Sequence, residues 1–441
     1  MEISCVDELL HNIRAEIEHA HLLQAPIATA FLSDKHKEDL EETLASKMRT
    51  MTLELTEKCN LRCEYCIYNE TYTGNRNFAS GEMNTETVTA AIDMLSKHSG
   101  EEVSLTFYGG EPLLRFDLIK YAVEYAQKLM PEKKISFSIT TNLTLMTKEI
   151  AEFVAAIDRF SIVCSIDGPE HIHDQYRKYP NGNGSFHDAM RGLKYLVEAI
   201  EHDQLTAKLY FSMVLASPYT SEKISDIQVF FDSLDWLPSD ITKSISYTTP
   251  GSEKVHYEMA DSDEVTFKPN PLLEWIESDK IKSADTQELF TKRFSDDILL
   301  TIHKRAYYDE PIQPRGFNGC CVPGVERIYV CSNGDLLPCE RIGTCPTIGN
   351  VFSGHDIQRI RDLYINEYEE KSIHECSECW AYKICRVCYS RICTKDSIDM
   401  NLKNRECRVA RDSALKALIY YHSVLESDPE SIAYLNNYVS V

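Results

Sequence analysis

The chain has 441 residues, 43% of them hydrophobic and 26% charged, which excludes global disorder, a collagen-like repeat or a coiled coil as the main architecture and leaves room for two or three domains. Its 46 basic and 69 acidic residues give a formal charge of −23, a balance that excludes a broad electrostatic surface for nucleic acid. The 16 cysteines occur with no secretory signal and no run near the ~18 apolar residues of a membrane span, so the expectation is a cytoplasmic protein whose clustered thiols hold metal.

Residues 1–50 read as a charged helical segment. From 51 to 250 strand-like runs near 51–55, 102–108, 134–140, 160–166, 207–214 and 243–248 alternate with helical patterns near 85–98, 116–129, 147–157, 186–200 and 221–233. Val88, Ile92 and Leu95 show the helical spacing, and Asn84 stands where a cap belongs. The rhythm predicts an α/β fold of six parallel strands, closed partly or fully into a barrel, with ligands at the carboxyl ends of the strands. Residues 251–315, with acidic runs and Pro269, Pro271, Pro311 and Pro314, read as a bridge. Residues 316–410 form a second cysteine-rich module. A closing helix near 408–426 leads into a tail, so 411–441 is read as C-terminal helix and tail.

Cys59, Cys63 and Cys66 lie in a loop just after the first strand, with no fourth Cys or His nearby. Structural zinc takes four protein ligands, whereas three thiolates on a four-iron cluster leave one iron open. A zinc knuckle completed from afar is the other reading. Gly109-Gly110-Glu111 follows the second strand, where glycines let the backbone approach a ligand and Glu111 can meet an ammonium group. Asn142 ends the third strand. Ser165 and Asp167 end the fourth, although Asp167-Gly168-Pro169 reads equally as a turn. By alternation Cys164 faces away from Ser165 and belongs to the core. His171, His173 and His187 read as ordinary polar loop residues.

The spacing Cys59-x3-Cys63-x2-Cys66, with aromatic Tyr65 before the last cysteine, resembles the radical S-adenosylmethionine (SAM) superfamily. The resemblance implies a partial (β/α)6 barrel and a [4Fe–4S] cluster on these cysteines. It implies SAM bound to the open iron and cleaved by one electron to a 5′-deoxyadenosyl radical, which abstracts hydrogen from a substrate. It assigns Gly109, Gly110 and Glu111 to the SAM amino group. Asn142, Ser165 and Asp167 would contact the ribose and methionine parts, and Arg177 the carboxylate.

The pattern Cys321-x12-Gly334-x4-Cys339, then Cys376-x2-Cys379-x5-Cys385-x2-Cys388, then Cys407, is similar to the SPASM domain of radical SAM peptide-modifying enzymes. Ser332-Asn-Gly334-Asp, Ile348-Gly-Asn350-Val and Cys379-Trp380-Ala-Tyr382 match as well. The spacing before Cys388 is two residues where the family has three. The resemblance implies two auxiliary [4Fe–4S] clusters, an inner one on Cys321, Cys339 and Cys388 and an outer one on Cys376, Cys379, Cys385 and Cys407. Cys320, Cys345 and Cys393 are alternative inner ligands, and two zinc sites are the other reading of the same cysteines. Glu340 matches a proposed general base of sulfatase-maturing relatives; its other reading is a simple pair with Arg341.

These resemblances lead to an expected function. The chain would be a thioether-forming peptide maturase of the sactipeptide or ranthipeptide type, acting on a ribosomally made precursor peptide. It would draw electrons from a donor such as a flavodoxin or ferredoxin. A carbon–carbon crosslink, formylglycine formation on a sulfatase, and a metal-bound peptide scaffold without catalysis are the alternatives. Only 50 residues precede the barrel, so the leader is expected to bind elsewhere or through a separate protein.

Overall fold

The computed structural model describes residues 11–17, 19, 36–66, 68, 78–216, 220–238, 241–247, 300, 302–305, 320–341, 345–427 and 429–437. Cys5, most of the N-terminal segment and most of the 251–315 bridge lie outside the described residues.

The strand at Met48–Thr56 (β1) follows a short helix at Leu40–Ser46 (α1). Five more strands succeed it: Ser99–Gly109 (β2), Lys134–Thr141 (β3), Phe160–Ser165 (β4), Leu209–Leu215 (β5) and Thr242–Tyr247 (β6). Between them run helices Thr85–His98 (α2), Phe116–Leu129 (α3), Lys148–Ala156 (α4), Glu170–Tyr176 (α5), Phe186–Ala199 (α6) and Ser221–Asp232 (α7). Asn84, Thr147 and Thr220 cap α2, α4 and α7 by accepting a first-turn N–H, as helix starts require.

All six strands are parallel and lie in chain order, and β1 does not meet β6, so the sheet is an open partial barrel. Alternation gives the sheet two unlike faces. Leu53, Leu105, Phe107, Phe137, Ile139, Phe160, Ile162 and Phe211 are buried on one, in the same core as Val88, Ile92 and Leu95 of α2. Cys164 is wholly buried there too, as expected. The other face carries rows of small polar side chains. Thr52, Thr106, Ser138 and Ser161 are in lateral register, and so are Ser165, Ser212 and Ser244.

The second cysteine module joins the same sheet. Arg327–Val330 (β7) pairs parallel to β1. Asp335–Leu337 (β8), Gly349–Asn350 (β9) and Gly354–His355 (β10) extend it by antiparallel steps to ten strands. The β7–β8 turn closes with Gly334 N–H donating to Cys331 O at 2.8 Å, and Gly334 has φ +89°, a conformation that favours glycine. Two further helices complete the module, Tyr368–Ser377 (α8) and Met400–Ser427 (α9). α9 begins at Met400 rather than near 408, because the Asp399 carboxylate accepts the N–H of Asn401 at 2.7 Å and of Leu402 at 3.1 Å. Among the described residues no helix is long and apolar enough to cross a membrane.

A buried carboxylate ties the two modules. Glu54 of β1 is 2% exposed; it accepts the Tyr329 hydroxyl of β7 at 2.9 Å and the Ser332 N–H at 3.1 Å. Tyr329→Phe removes one of these donors from a buried acceptor. The expected cost is about 1–3 kcal/mol of unfolding free energy, read as a lower urea midpoint with an unchanged slope; an unchanged midpoint would show that the contact carries no net stability.

Candidate functional site

The cysteine loop leaves β1 and is strapped down by the end of β2. Gly110 N–H donates to Thr56 O at 2.8 Å, and Glu111 N–H to Lys58 O at 2.9 Å. A Cβ on Gly109 would sit 2.3 Å from Thr56 O, and one on Gly110 2.1 Å from Lys58 O. The space beside both glycines is taken by the backbone of the cysteine loop itself.

Glu111 is 1% exposed. Its carboxylate accepts the Thr141 hydroxyl at 2.8 Å, Asn142 N–H at 2.9 Å and Leu113 N–H at 3.1 Å. Burial nevertheless dominates and raises its pKa to about 7, against the lowering effect of those donors. The Asn142 amide donates to Asn60 Oδ1 at 3.0 Å and approaches Cys59 Sγ at 3.9 Å, while its oxygen accepts from Thr144. The ends of β2 and β3 thus converge on Cys59.

Asp167, at the end of β4, is the second hub. It is 1% exposed and receives four donors. Arg177 reaches its two oxygens at 2.8 and 3.0 Å. Val214 N–H donates at 2.9 Å, and the Tyr65 hydroxyl also donates. Burial alone would raise its pKa, but the Arg177 charge and hydrogen bonds outweigh that and hold it below the usual carboxylate range. Arg177 also lies over the Tyr65 ring, 5.5 Å from its centroid. Ser165 is buried beside this hub, in register with Ser212. His173, read from sequence as an ordinary polar residue, is 1% exposed and links Ser185 to the Asp167 backbone. Burial lowers its pKa to about 4, so at neutral pH it is an uncharged prop of the Asp167 turn. No spacing rule in the sequence marks it.

Burial raises all three loop thiols, Cys59 to about 12 with the Glu111 charge adding to the effect. Arg177 opposes the rise at Cys63. As isolated thiols they stay protonated at neutral pH; a bound metal group, which strips protons from coordinating thiols, fits this donor set.

In the C-terminal module Cys376, Cys379, Cys385 and Cys407 line one cavity together with Lys403. Cys321, Cys339 and Cys388 lie close enough that charge on one is felt by the others, and Cys320 joins them. Cys345 and Cys393 form a separate contact, Cys345 Sγ donating to Cys393 O at 3.2 Å, still within the field of Cys339. The Tyr389 hydroxyl lies 3.0 Å from Cys321 Sγ and was not anticipated, although it adjoins Cys388. Glu340 accepts from Arg327 Nη1 at 2.9 Å and lies 3.8 Å from Arg341 Nε, so its carboxylate is paired. Among the described residues no three Cys, His, Asp or Glu side chains converge as a single ion would require.

Residues 53–220 match the Radical SAM superfamily model. An uncharacterized protein of Methanocaldococcus jannaschii is 37% identical over 149 residues, 34% of this chain and 49% of its own length, so the chain spans about half of that relative. The cysteine-type anaerobic sulfatase-maturating enzyme of Clostridium novyi is 24% identical over 348 residues, 75% of this chain and 84% of that protein. Among solved structures, anSMEcpe with bound AdoMet aligns at 20% identity and TM-score 0.60, covering 89% of this chain and 100% of that one. SuiB of Streptococcus suis bound to precursor peptide SuiA aligns at 17% identity and TM-score 0.51, covering 89% and 86%. Residues 53–220 thus carry the match to the Radical SAM superfamily, and the fold is the one shared with anSMEcpe and SuiB.

A carboxyl whose folded pKa lies above its unfolded one binds protons better when folded, so stability falls as pH rises between the two. For Glu111, from 4.5 to about 7, the expected loss is about 3 kcal/mol over that window. Glu111→Gln is expected to flatten this part of the stability–pH curve of the metal-free protein, measured by urea unfolding; an unchanged slope would refute the assignment.

Proposed function

We propose that Cys59, Cys63 and Cys66 hold the [4Fe–4S] cluster that binds SAM, and that the chain uses the resulting radical to install a crosslink, foremost a Cys thioether, in a ribosomally made precursor peptide. The observation that carries the reading is one continuous sheet from which the cysteine loop after β1 and the inner set around Cys339 both leave, together with a four-thiol cavity lined from α8, α9 and the loop between them.

Gly109 and Gly110 seat the cysteine loop. Glu111, with its pKa near 7, is placed to lose its proton when a ligand ammonium approaches. Arg177 spends two donors on Asp167; the guanidinium's remaining N–H groups are those a ligand carboxylate would meet. Asp167 and Tyr65 fix that guanidinium. Ser165 and Asn142 offer short polar contacts at the same end of the sheet. When bound, the clusters supply the electron that cleaves SAM and a sink for the electron that crosslinking must release. The polar face of Ser and Thr rows suits a hydrogen-bonding substrate such as an extended peptide. A flavodoxin or ferredoxin is the electron donor we infer.

Formylglycine formation is the second reading, favoured by the relation to the Clostridium novyi enzyme over 75% of this chain. Under it Glu340, beside Cys339, is the candidate base once freed from Arg327.

Anaerobic incubation of reconstituted enzyme with SAM, dithionite and a Cys-containing precursor peptide is expected to remove two hydrogens per event, with one alkylatable thiol lost in step. The same mass loss with all thiols retained means a carbon–carbon bond, and a sulfatase peptide converted instead means formylglycine chemistry. Replacing Cys59, Cys63 and Cys66 together by Ala is expected to abolish 5′-deoxyadenosine release; retained release would sink the SAM-site assignment. The Cys376→Ala/Cys379→Ala double variant is expected to lower peptide modification more than SAM cleavage, compared by product quantitation on the same samples.

A further inference from the structure

Helix α9 places Lys403, Cys407 and Arg411 at successive turns, four residues apart, and therefore on one face. All three line the cavity that also holds Cys376, Cys379 and Cys385. Lys403 is 1% exposed although it is a lysine, and its ammonium donates to Glu375 Oε2 at 3.1 Å. The Glu375 side chain is 46% exposed. One half-solvated carboxylate offsets little of the desolvation of a fully buried ammonium. The other groups of anionic potential in the cavity are the thiols. Nothing in the SAM-cleaving site or the SPASM cysteine pattern accounts for a buried cation here.

We propose that Lys403 is the fixed counter-charge of the outer four-thiolate site, favouring the electron-rich state of the cluster bound there. The inference rests on the reading of Cys376, Cys379, Cys385 and Cys407 as cluster ligands. A [4Fe–4S] cluster on four thiolates is anionic when oxidised, and it gains one more negative charge, with no proton, when it accepts one electron. A cation buried in the same low-dielectric cavity stabilises the more negative state more strongly, so the site becomes a better electron acceptor. Arg411 stands on the same helix face, but Lys403 is the buried one.

The test is an EPR-monitored titration of the anaerobically reconstituted full chain with dithionite and redox mediators, alongside iron per protein. The outer signal is the one missing from Cys376→Ala/Cys379→Ala. Lys403→Met keeps the stem and removes the charge. It is expected to make the outer site harder to reduce by at least tenfold in the oxidised-to-reduced ratio at fixed potential, about 59 mV for one electron. Lys403→Arg is expected to restore it to within about threefold of the parent. Iron lost in Lys403→Met and regained in Lys403→Arg also supports the counter-charge, since assembly then depends on it. An unmoved midpoint at full iron content in Lys403→Met, or equal iron loss in both variants, overturns it in favour of a packing role. If the double cysteine variant keeps all its iron and every signal, the outer-site reading is itself wrong and the inference falls with it; that result is distinct from a lysine without effect.

Discussion

Two backbone segments run closer together at the mouth of the barrel than any side chain would permit. Gly109 and Gly110 lie against Thr56 and Lys58, and the hydrogen bonds Gly110 N–H to Thr56 O and Glu111 N–H to Lys58 O fill the space a Cβ would need. The remaining site geometry follows from this contact. It fixes where the loop with Cys59 leaves β1, and it aims Glu111 at the end of β3, where the Asn142 N–H and Thr141 hydroxyl complete its hydrogen bonding. It also brings the Asn142 amide beside Cys59. A two-glycine run at a strand end thus joins three strand ends into one platform.

The Asp167–Arg177 pair plays the corresponding part on the far side of the cysteine loop. A buried ion pair is a poor source of net stability, because desolvating both charges consumes most of their attraction. Asp167 is kept ionised by number of donors rather than by charge alone: Arg177 twice, Tyr65 and Val214. Once all four are made, the geometry is fixed, since removing any one leaves a buried acceptor short of a partner. Tyr65 stands between Glu64 and Cys66 in the loop, so the same network that orients Arg177 also holds the loop near Cys63 and Cys66. Sheet ends on one side and an ion pair on the other bracket the three thiols.

Much of this was legible in the sequence where the governing forces are local. α2 and α3 fall where periodicity and the Asn84 cap place them, since both signals lie within a few residues. The start of α9 was read too late because its cap, Asp399, precedes a polar first turn with little periodicity. The pairing of β7 with β1 joins residues far apart in the chain, and no local pattern encodes it. The loop, Gly-Gly-Glu and strand-end motifs are legible as residues, but the internal hydrogen bonds that tie them to one another are not, because those join different strand ends. Glu111 accepts from Thr141, Asn142 and Leu113, and the first two of these contacts, made across to the end of β3, have no signal in the local sequence. His173 reads as an ordinary polar residue because only its burial beside Asp167 and Ser185 gives it a role, and Tyr389 carries no signal because its partner Cys321 is far away in the chain.

The β1–β7 pairing also bears on how the two cysteine modules work together. β1 and β7 are parallel, so their carboxyl ends lie on the same edge of the sheet. The cysteine loop leaves one end, and the turn leading into β8 and Cys339 leaves the other. Ser332 in that turn donates its N–H to Glu54 at 3.1 Å, and its hydroxyl approaches Glu57 Oε1 at 3.4 Å. Glu57 in turn accepts Gly81 N–H at 2.8 Å. The two cysteine modules are therefore registered by ladder hydrogen bonds and by the buried Glu54 carboxylate. If the two modules work as proposed, a spacing free to fluctuate would forfeit the positioning contribution to catalysis, which is lost over about an ångström of misplacement. A shared sheet removes that freedom before any substrate binds, and it explains why the face of β1 that carries Thr50, Thr52 and Thr56 also carries a buried glutamate, at the position where the second module locks on.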